Sequence, residues 1–211
     1  IFASSSSVYG VKKEKNVVED MKLEPLTDYS KFKVECENII AKHYSKNFIT
    51  TILRPATVCG YAPRQRLDVV VNILTNLAYH NREIKVFGGN QLRPNINIKD
   101  MVRAYYRILI ANNDIINGQI FNVGYENHSV KEIGEIVKKV VGEDVNFKTV
   151  PTDDNRSYHV SSEKIKEILS FESEFSIEDA SKSLLNAFQK NILVDPLNNE
   201  LYFNIKRMQN I

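Results

Sequence analysis

Asp28–Tyr44 reads DYSKFKVECENIIAKHY, and what this stretch forms decides the fold. Its apolar and aromatic positions are Tyr29, Phe32, Cys36, Ile39, Ile40 and His43. That spacing of threes and fours predicts an amphipathic helix with Thr27 or Asp28 as N-cap. Upstream, residues 11–26 are charged and polar with Pro25 near their end, which reads as loop. Downstream, NFITTILRP (Asn47–Pro55) is β-branched and apolar, which reads as a buried strand.

The alternation continues along the chain. Leu67–His80 has a helical pattern, IKVFGG a strand stopped by Gly88-Gly89, IKDMVRAYYRILIAN a helix and QIFNVG a strand. In SVKEIGEIVKKVVG, Ser129 and Glu132 form a capping-box pattern and Gly142 stands at the far end. NFKTVP reads as another strand, and two more capped helices are expected to begin near Ser161 and Ser176. Strands separated by helices imply an α/β protein with a largely parallel sheet. The usual Gly-rich phosphate loop of open α/β nucleotide folds has no counterpart in the sequence, which contains neither G-x-G-x-x-G nor a P-loop.

Composition excludes several function classes. The 211 residues carry a net charge of +2 with Lys and Arg scattered, so no basic stripe argues for nucleic acid. No apolar run reaches the length needed to span a bilayer. Cys36 and Cys59 form neither a metal-ligand spacing nor a disulfide framework, and are expected to be buried thiols in a reducing cytoplasm. No metal site is expected.

In an α/β chain without metal ligands, a Tyr-Lys pair is the chemistry to look for. Tyr is a poor base at its reference pKa near 10, and a nearby Lys ammonium favours the phenolate. On a helix, Y-x-x-x-K places both side chains on one face. The pattern occurs at Tyr9/Lys13, Tyr29/Lys33 and Tyr202/Lys206. About one chance match is expected in a chain with this composition, so context must decide. Tyr9 is followed by Gly10 in a turn-like stretch, and Tyr202 lies in a polar tail. Tyr44 has Phe48 at the fourth position. Tyr29 opens a well-patterned helix with a cap just before it.

DYSKFKVECE resembles the catalytic helix of the extended short-chain dehydrogenase/reductase family, the NAD-dependent nucleotide-sugar epimerases and dehydratases. Other segments follow in that family's order. FASSSSVYG (Phe2–Gly10) is similar to the strand with the catalytic hydroxyl, and ILRPATVCGYAPRQR (Ile52–Arg66) to the strand and loop R-P-x-N-x-Y-G-P. VFGGNQLRPNINIKDMVRAY is similar to the segment with a substrate-phosphate Arg. GQIFNVGYENHSVKEIGEIV and NRSYHVSSEKIKEILSF are similar to the two stretches that close the substrate domain.

The resemblance implies the C-terminal part of a Rossmann-like parallel sheet with a smaller α/β substrate-binding domain. Residues 1–60 would belong to the NAD-binding domain, with some later segments returning to it. Residues 61–190 would be mainly substrate-binding, and 191–211 a C-terminal tail. The Gly-rich half of such a protein would precede Ile1, so the chain is expected to be a fragment of a cytoplasmic enzyme. Ile1–Ala3 would then be the core-facing end of a severed buried strand.

The resemblance also implies roles. Tyr29 would be the general base and acid, Lys33 would hold the nicotinamide ribose, and Ser5 would hydrogen-bond the reacting sugar oxygen. Ala3, Ser4, Pro55, Ala56 and Thr57 would line the NAD site together with Tyr29 and Lys33. Ser5, Ser6, Ser7, Thr57, Arg93 and Arg156 would contact a nucleotide sugar, with Arg93 on its diphosphate. Arg64 and Arg66 are expected to face solvent. Homodimerisation through the Tyr29 helix is the family's habit.

Departures from the pattern sharpen the expectation. Thr57 stands where the family usually has Asn, and Cys59 where it usually has Tyr. The 4,6-dehydratases carry Asp and Glu immediately after the catalytic hydroxyl residue, where this chain has Ser6 and Ser7. A serine hydroxyl cannot do carboxylate acid-base work at neutral pH. The expected activity is therefore C4 epimerisation of a UDP-sugar through a 4-keto intermediate. A nucleotide-sugar dehydratase or 4-ketoreductase is the nearest alternative, and a non-catalytic nucleotide-sugar or dinucleotide-binding protein is an alternative of another class.

Overall fold

A computed structural model describes residues 1–14, 16–152, 157 and 159–210. Its elements run β1 (Phe2–Ala3), a 3-10 turn (Ser6–Tyr9), α1 (Asp28–Ile40), β2 (Thr51–Pro55), β3 (Thr57–Cys59) and α2 (Val70–Asn81). There follow β4 (Glu83–Phe87), β5 (Leu92–Asn97), α3 (Ile98–Ile110), α4 (Asn113–Ile116), β6 (Gln119–Val123) and β7 (Glu126–Ser129). The chain continues with α5 (Val130–Val141), β8 (Asn146–Val150), α6 (Glu163–Leu169) and α7 (Ile177–Gln189), then a 3-10 turn (Glu200–Tyr202) and α8 (Asn204–Gln209).

Among the described residues, three small sheets organise these elements. The first has the order β1-β2-β6 with both pairs parallel, so the carboxyl ends of its strands share one edge. In the second, β3-β5-β7, β3 and β5 are parallel and β5 and β7 antiparallel. The third is the parallel pair β4-β8. β3 begins two residues after β2 ends, so the second sheet grows from the carboxyl edge of the first. This α/β architecture with parallel pairing is the one the alternation predicts.

The core divides accordingly. Leu53, Phe121 and Val123 of the first sheet pack with Ala104 and Ile108 of α3 and Ile165 of α6. Each of these side chains larger than alanine contributes about 1.5–3 kcal/mol on burial. A second cluster joins α2, α5 and α7 to β4 through Val71, Leu74, Ile133, Val137 and Ala180. The expected capping box forms, Ser129 with Glu132 at α5, and the helix expected near Ser176 starts there as α7 with a box of its own, Ser176 with Asp179. Among the described residues no helix is long and apolar enough to cross a membrane.

Several expectations are corrected. α1 ends at Ile40 rather than near Tyr44, passing into turns at residues 41–43. Its apolar stripe faces outward, with Phe32 63% and Ile39 58% exposed, whereas Ser30 and Glu37 are buried. The inward face of this helix is mixed: Glu37 meets Ser4 and Arg54, while Val34 packs against the apolar cluster of Val8, Tyr9, Val17 and Val160. Cys36 is accordingly half-buried, while Cys59 is buried as expected. Ile1 and Ala3 are exposed, and burial begins at Ser4. β1 is an edge strand among the described residues, so one side of it lacks a covering neighbour.

α6 begins at Glu163, whose N–H donates to the Ser161 hydroxyl at 3.4 Å, while Ser162 makes no capping bond. The Ser162 hydroxyl instead accepts from the Gly124 N–H at 2.8 Å and donates to the Gly124 carbonyl at 3.0 Å. The short strands β3, β5 and β7 were not legible as strands, since Pro94 and polar residues interrupt their apolar pattern. The tail after residue 190 packs as well as being polar. Leu193 is buried beside Phe188, with Tyr202 and Phe203 against the same cluster.

Candidate active site

Two turns of α1 and the end of β1 build the centre of the site. Thr27 caps α1 by accepting from the Ser30 N–H, and the Ser30 side chain accepts from the Thr27 N–H in return. This fixes the first turn, where Tyr29 stands 58% exposed. One turn on, the Lys33 ammonium donates to the Ala3 carbonyl at 2.7 Å and lies 5.5 Å from the Tyr29 ring centroid. Tyr29 and Lys33 are thus held side by side over the carboxyl end of β1.

Ser5 follows at the tip of that strand. It is half-buried and caps the 3-10 turn, accepting from the Ser7 N–H at 3.2 Å, with the two hydroxyls 2.9 Å apart. Ser6 is buried and Ser7 half-buried in the same turn. Ala3 pairs with Leu53, and the Ser4 N–H donates to the Leu53 carbonyl at 2.7 Å. Continuing this register brings Ser5 level with Pro55. Ala56 is buried and donates its N–H to the Val123 carbonyl at 2.8 Å, and Thr57, half-buried, opens β3. The structure therefore brings Ala3, Ser4, Ser5, Tyr29, Lys33 and Pro55–Thr57 to one sheet edge. The carboxyl edge of parallel strands is where open α/β sheets bind ligands.

Arg93 lies on β5, two residues before the Asn95 that pairs with Thr57. It is half-buried, opposite His128, and its Nη1 donates to the Leu92 carbonyl at 3.2 Å. That places it where the second sheet meets the first, on a different element from the Tyr-Lys pair. Arg156 lies outside the described residues. Arg64 and Arg66 are exposed, Arg66 pairing with Asp68 and Arg64 donating to Asn204. A cleft of about 580 Å³ opens beside Gly124 and Tyr125, just past β6, and is walled by His159, Ser162, Lys166 and Phe171. It lies at the β6 end of the same strand edge and includes none of Ser5, Tyr29 and Lys33.

Behind the edge sits a buried polar network that the sequence did not announce. Arg54 and Glu37, each 3% exposed, form an ion pair with Nη2–Oε2 at 2.6 Å and Nε–Oε1 at 3.0 Å. The Ser4 hydroxyl donates to Glu37 Oε1. Arg54 Nη1 donates to the Tyr9 hydroxyl and to the Glu19 carbonyl, both at 2.8 Å. The Tyr9 hydroxyl in turn donates to Asn122 Oδ1 at 2.7 Å. Burial pushes the Tyr9 phenol above its ordinary value, against the pull of the Arg54 guanidinium. Two signals could have found this network: an arginine inside the apolar strand TILRP, and a glutamate one turn beyond Lys33 on α1.

Comparison with known proteins bears on the family and the fold. The family model described as the NAD dependent epimerase/dehydratase family matches residues 1–124. A UDP-glucose 4-epimerase of Lactobacillus helveticus is 28% identical over 170 residues, covering 72% of this chain and 51% of that protein. A UDP-glucuronate 4-epimerase of Thermodesulfobacterium geofontis is 29% identical over 202 residues, covering 91% of this chain and 59% of that protein. The crystal structure of a UDP-glucuronic acid 4-epimerase from Bacillus cereus, in complex with UDP-glucuronic acid and NAD, superposes with a TM-score of 0.77. It is 26% identical, covering 90% of this chain and 60% of that one. The relatives also include dTDP-D-glucose 4,6-dehydratases. The chain spans about half to three fifths of the length of the curated relatives it matches.

Proposed function

Because the chain belongs to the NAD-dependent epimerase/dehydratase family, we propose that the protein carrying it epimerises a UDP-sugar at C4 through a 4-keto intermediate. The observation that carries this reading is the cluster of Ser5, Tyr29 and Lys33 at the end of β1, followed by Ser6 and Ser7 rather than carboxylates. The similarity to UDP-glucose and UDP-glucuronate 4-epimerases supports it.

The donor set fits the ribose end of a nicotinamide dinucleotide. Lys33 has three N–H donors and gives one to Ala3, which leaves two for ribose hydroxyls. Ala3, Ser4 and Pro55–Thr57 line the strand edge beside it. Ser4 takes part through its backbone, since its hydroxyl is bonded to Glu37. NAD, when bound, supplies the reversible hydride acceptor.

The chain's own groups handle the proton. Tyr29, mostly exposed, takes the proton of the sugar 4-hydroxyl. The adjacent Lys33 charge stabilises negative charge developing on the phenol oxygen in the transition state. Ser5 donates a hydrogen bond to the same sugar oxygen and holds it facing Tyr29. After the 4-keto sugar has turned over, Tyr29 returns the proton. Thr57 and the Ser6–Ser7 turn border the sugar, Arg93 takes its diphosphate, and Arg156 is a second contact to phosphate or ribose. Homodimerisation through α1 belongs to the same proposal, motivated by the exposed Phe32 and Ile39.

The test is to incubate the full-length protein with UDP-glucose or UDP-glucuronate and NAD, and to follow the product by NMR. The expected result is the C4 epimer without net NADH, and on the order of 10³-fold loss in Tyr29→Phe. A 4-keto-6-deoxy product, or stoichiometric consumption of NADPH, would replace this reading by dehydratase or ketoreductase.

A further inference from the structure

We infer that Glu37 is a positioning residue of this site, holding Ser5 in register with Tyr29 and Lys33 through Ser4 and Arg54. The inference rests on the roles proposed above for Ser5, Tyr29 and Lys33. Its geometry is that of a two-point clamp. From successive turns of α1, Lys33 reaches the Ala3 carbonyl and Glu37 reaches the Ser4 hydroxyl. The residues gripped are consecutive, and the next along the chain is Ser5. Two bonds a helical turn apart fix both the height and the rotation of α1 relative to β1. One bond would leave the helix free to turn about it.

The second carboxylate oxygen of Glu37 extends the clamp across the sheet. It accepts from Arg54 at 2.6 Å, and Arg54 immediately precedes Pro55. Through Tyr9, Arg54 reaches Asn122, which immediately precedes Val123 at the end of β6. Asn122 is also held through its own N–H, which donates to Glu19 Oε1 at 2.7 Å. Ser4, Arg54 and Asn122 each stand one residue behind a residue at the carboxyl edge, and the same ion pair connects them.

Stability alone does not call for this construction. A buried ion pair can often be replaced by apolar side chains of similar volume with no loss of stability. What charged, hydrogen-bonded groups add is direction. Here that direction sets the spacing between the Ser5 hydroxyl and the Tyr29 phenol, and a displacement of about 1 Å between reacting groups can lower turnover by about 100-fold.

The experiment uses the full-length protein and three variants: Ser4→Ala, Glu37→Gln and the double substitution Glu37→Leu with Arg54→Leu. Three quantities are read: kcat and KM for epimerisation, the melting temperature, and amide hydrogen exchange in segments 4–9 and 29–37. Ser4→Ala removes one hydroxyl and keeps the ion pair, so it remains informative even if Glu37→Gln folds poorly. The expected result for Ser4→Ala is a fall in kcat of about 10- to 100-fold with KM changed by less than about 3-fold. Its melting temperature should stay near that of the wild type while exchange in segment 4–9 accelerates. The double Leu variant should recover the melting temperature lost in Glu37→Gln but not its kcat.

If kcat merely follows the melting temperature across the three variants, or segment 4–9 exchanges as in the wild type in Ser4→Ala, the positioning role is overturned. A Tyr29→Phe variant with wild-type turnover would instead remove the catalytic reading. Hydrogen exchange would then judge the clamp by itself.

Discussion

Gly10 closes the turn that presents Ser5, Ser6 and Ser7, and replacing it by alanine should be among the more damaging small changes in the chain. Its backbone sits at φ 72° and ψ −128°, a combination that L residues avoid. A Cβ built there would lie 2.1 Å from the Glu24 carbonyl oxygen and 3.1 Å from the carbonyl carbon. That carbonyl has little freedom to recede. The Glu24 N–H donates to the Val8 carbonyl at 3.0 Å, and the Glu24 carboxylate pairs with Lys12 at 2.8 Å. The disallowed dihedral costs about 1–3 kcal/mol. Displacing a packed backbone costs about 1–3 kcal/mol more. We expect Gly10→Ala to lose about 4 kcal/mol of unfolding free energy in a urea titration, a fall in Tm on the order of 10 °C for a protein of this size.

Gly124→Ala is the control. Its Cβ would meet the Ala56 methyl at 3.2 Å without a positive φ, so its loss should be smaller, about 1–2 kcal/mol. A Gly10→Ala variant within about 1 kcal/mol of the wild type, or no worse than Gly124→Ala, would refute the reasoning.

Three further outcomes are expected. Asp100 is fully buried, and its Oδ2 accepts the N–H groups of Glu174 and Phe175 at 3.0 and 2.8 Å while Arg103 pairs with Oδ1. Asp100→Ala should therefore lose about 3–5 kcal/mol in the same titration, and a loss under about 1 kcal/mol would contradict that account. Asp179 is held below its ordinary value by hydrogen bonds from the Ser176 backbone and hydroxyl. Its contribution is therefore present above the ordinary aspartate value of about 3.9 and is lost as pH falls through the lower folded value. The Tm difference between wild type and Asp179→Asn should be largest near neutrality and close in acid, and a difference that widens in acid would invert the sign. Burial pushes the Cys59 thiol far above its ordinary value, and its Sγ donates to the Ile96 carbonyl at 3.4 Å. Peptide mapping after brief iodoacetamide treatment of the native protein should find Cys59 unmodified, and rapid labelling there would contradict its burial.

The Tyr29 helix was legible because a cap, a threes-and-fours spacing and a Y-x-x-x-K pair coincide within one turn of one another. The α5 and α7 starts were legible because a capping box is a contact between residues three apart. The α1 face was misjudged for the converse reason. Periodicity reports that a stripe exists, but which side is buried depends on what packs there, and here Arg54 and Ser4 meet Glu37. β5 and β7 escaped notice because their ladder joins segments more than thirty residues apart, with Arg93 opposite His128.

The sequence by itself determined the alternation of strands and helices, the Tyr29–Lys33 pair on one helical face, and the lack of carboxylates after Ser5. All of these are local: they depend on spacing within a helix turn or on residue identity. Tertiary structure alone decided that Lys33 reaches Ala3, that Arg54 is buried against Glu37, and that Ala3 pairs with Leu53. The physical reason is that parallel strands pair across long connections. Their register is set by the whole packed edge and not by any window of the chain.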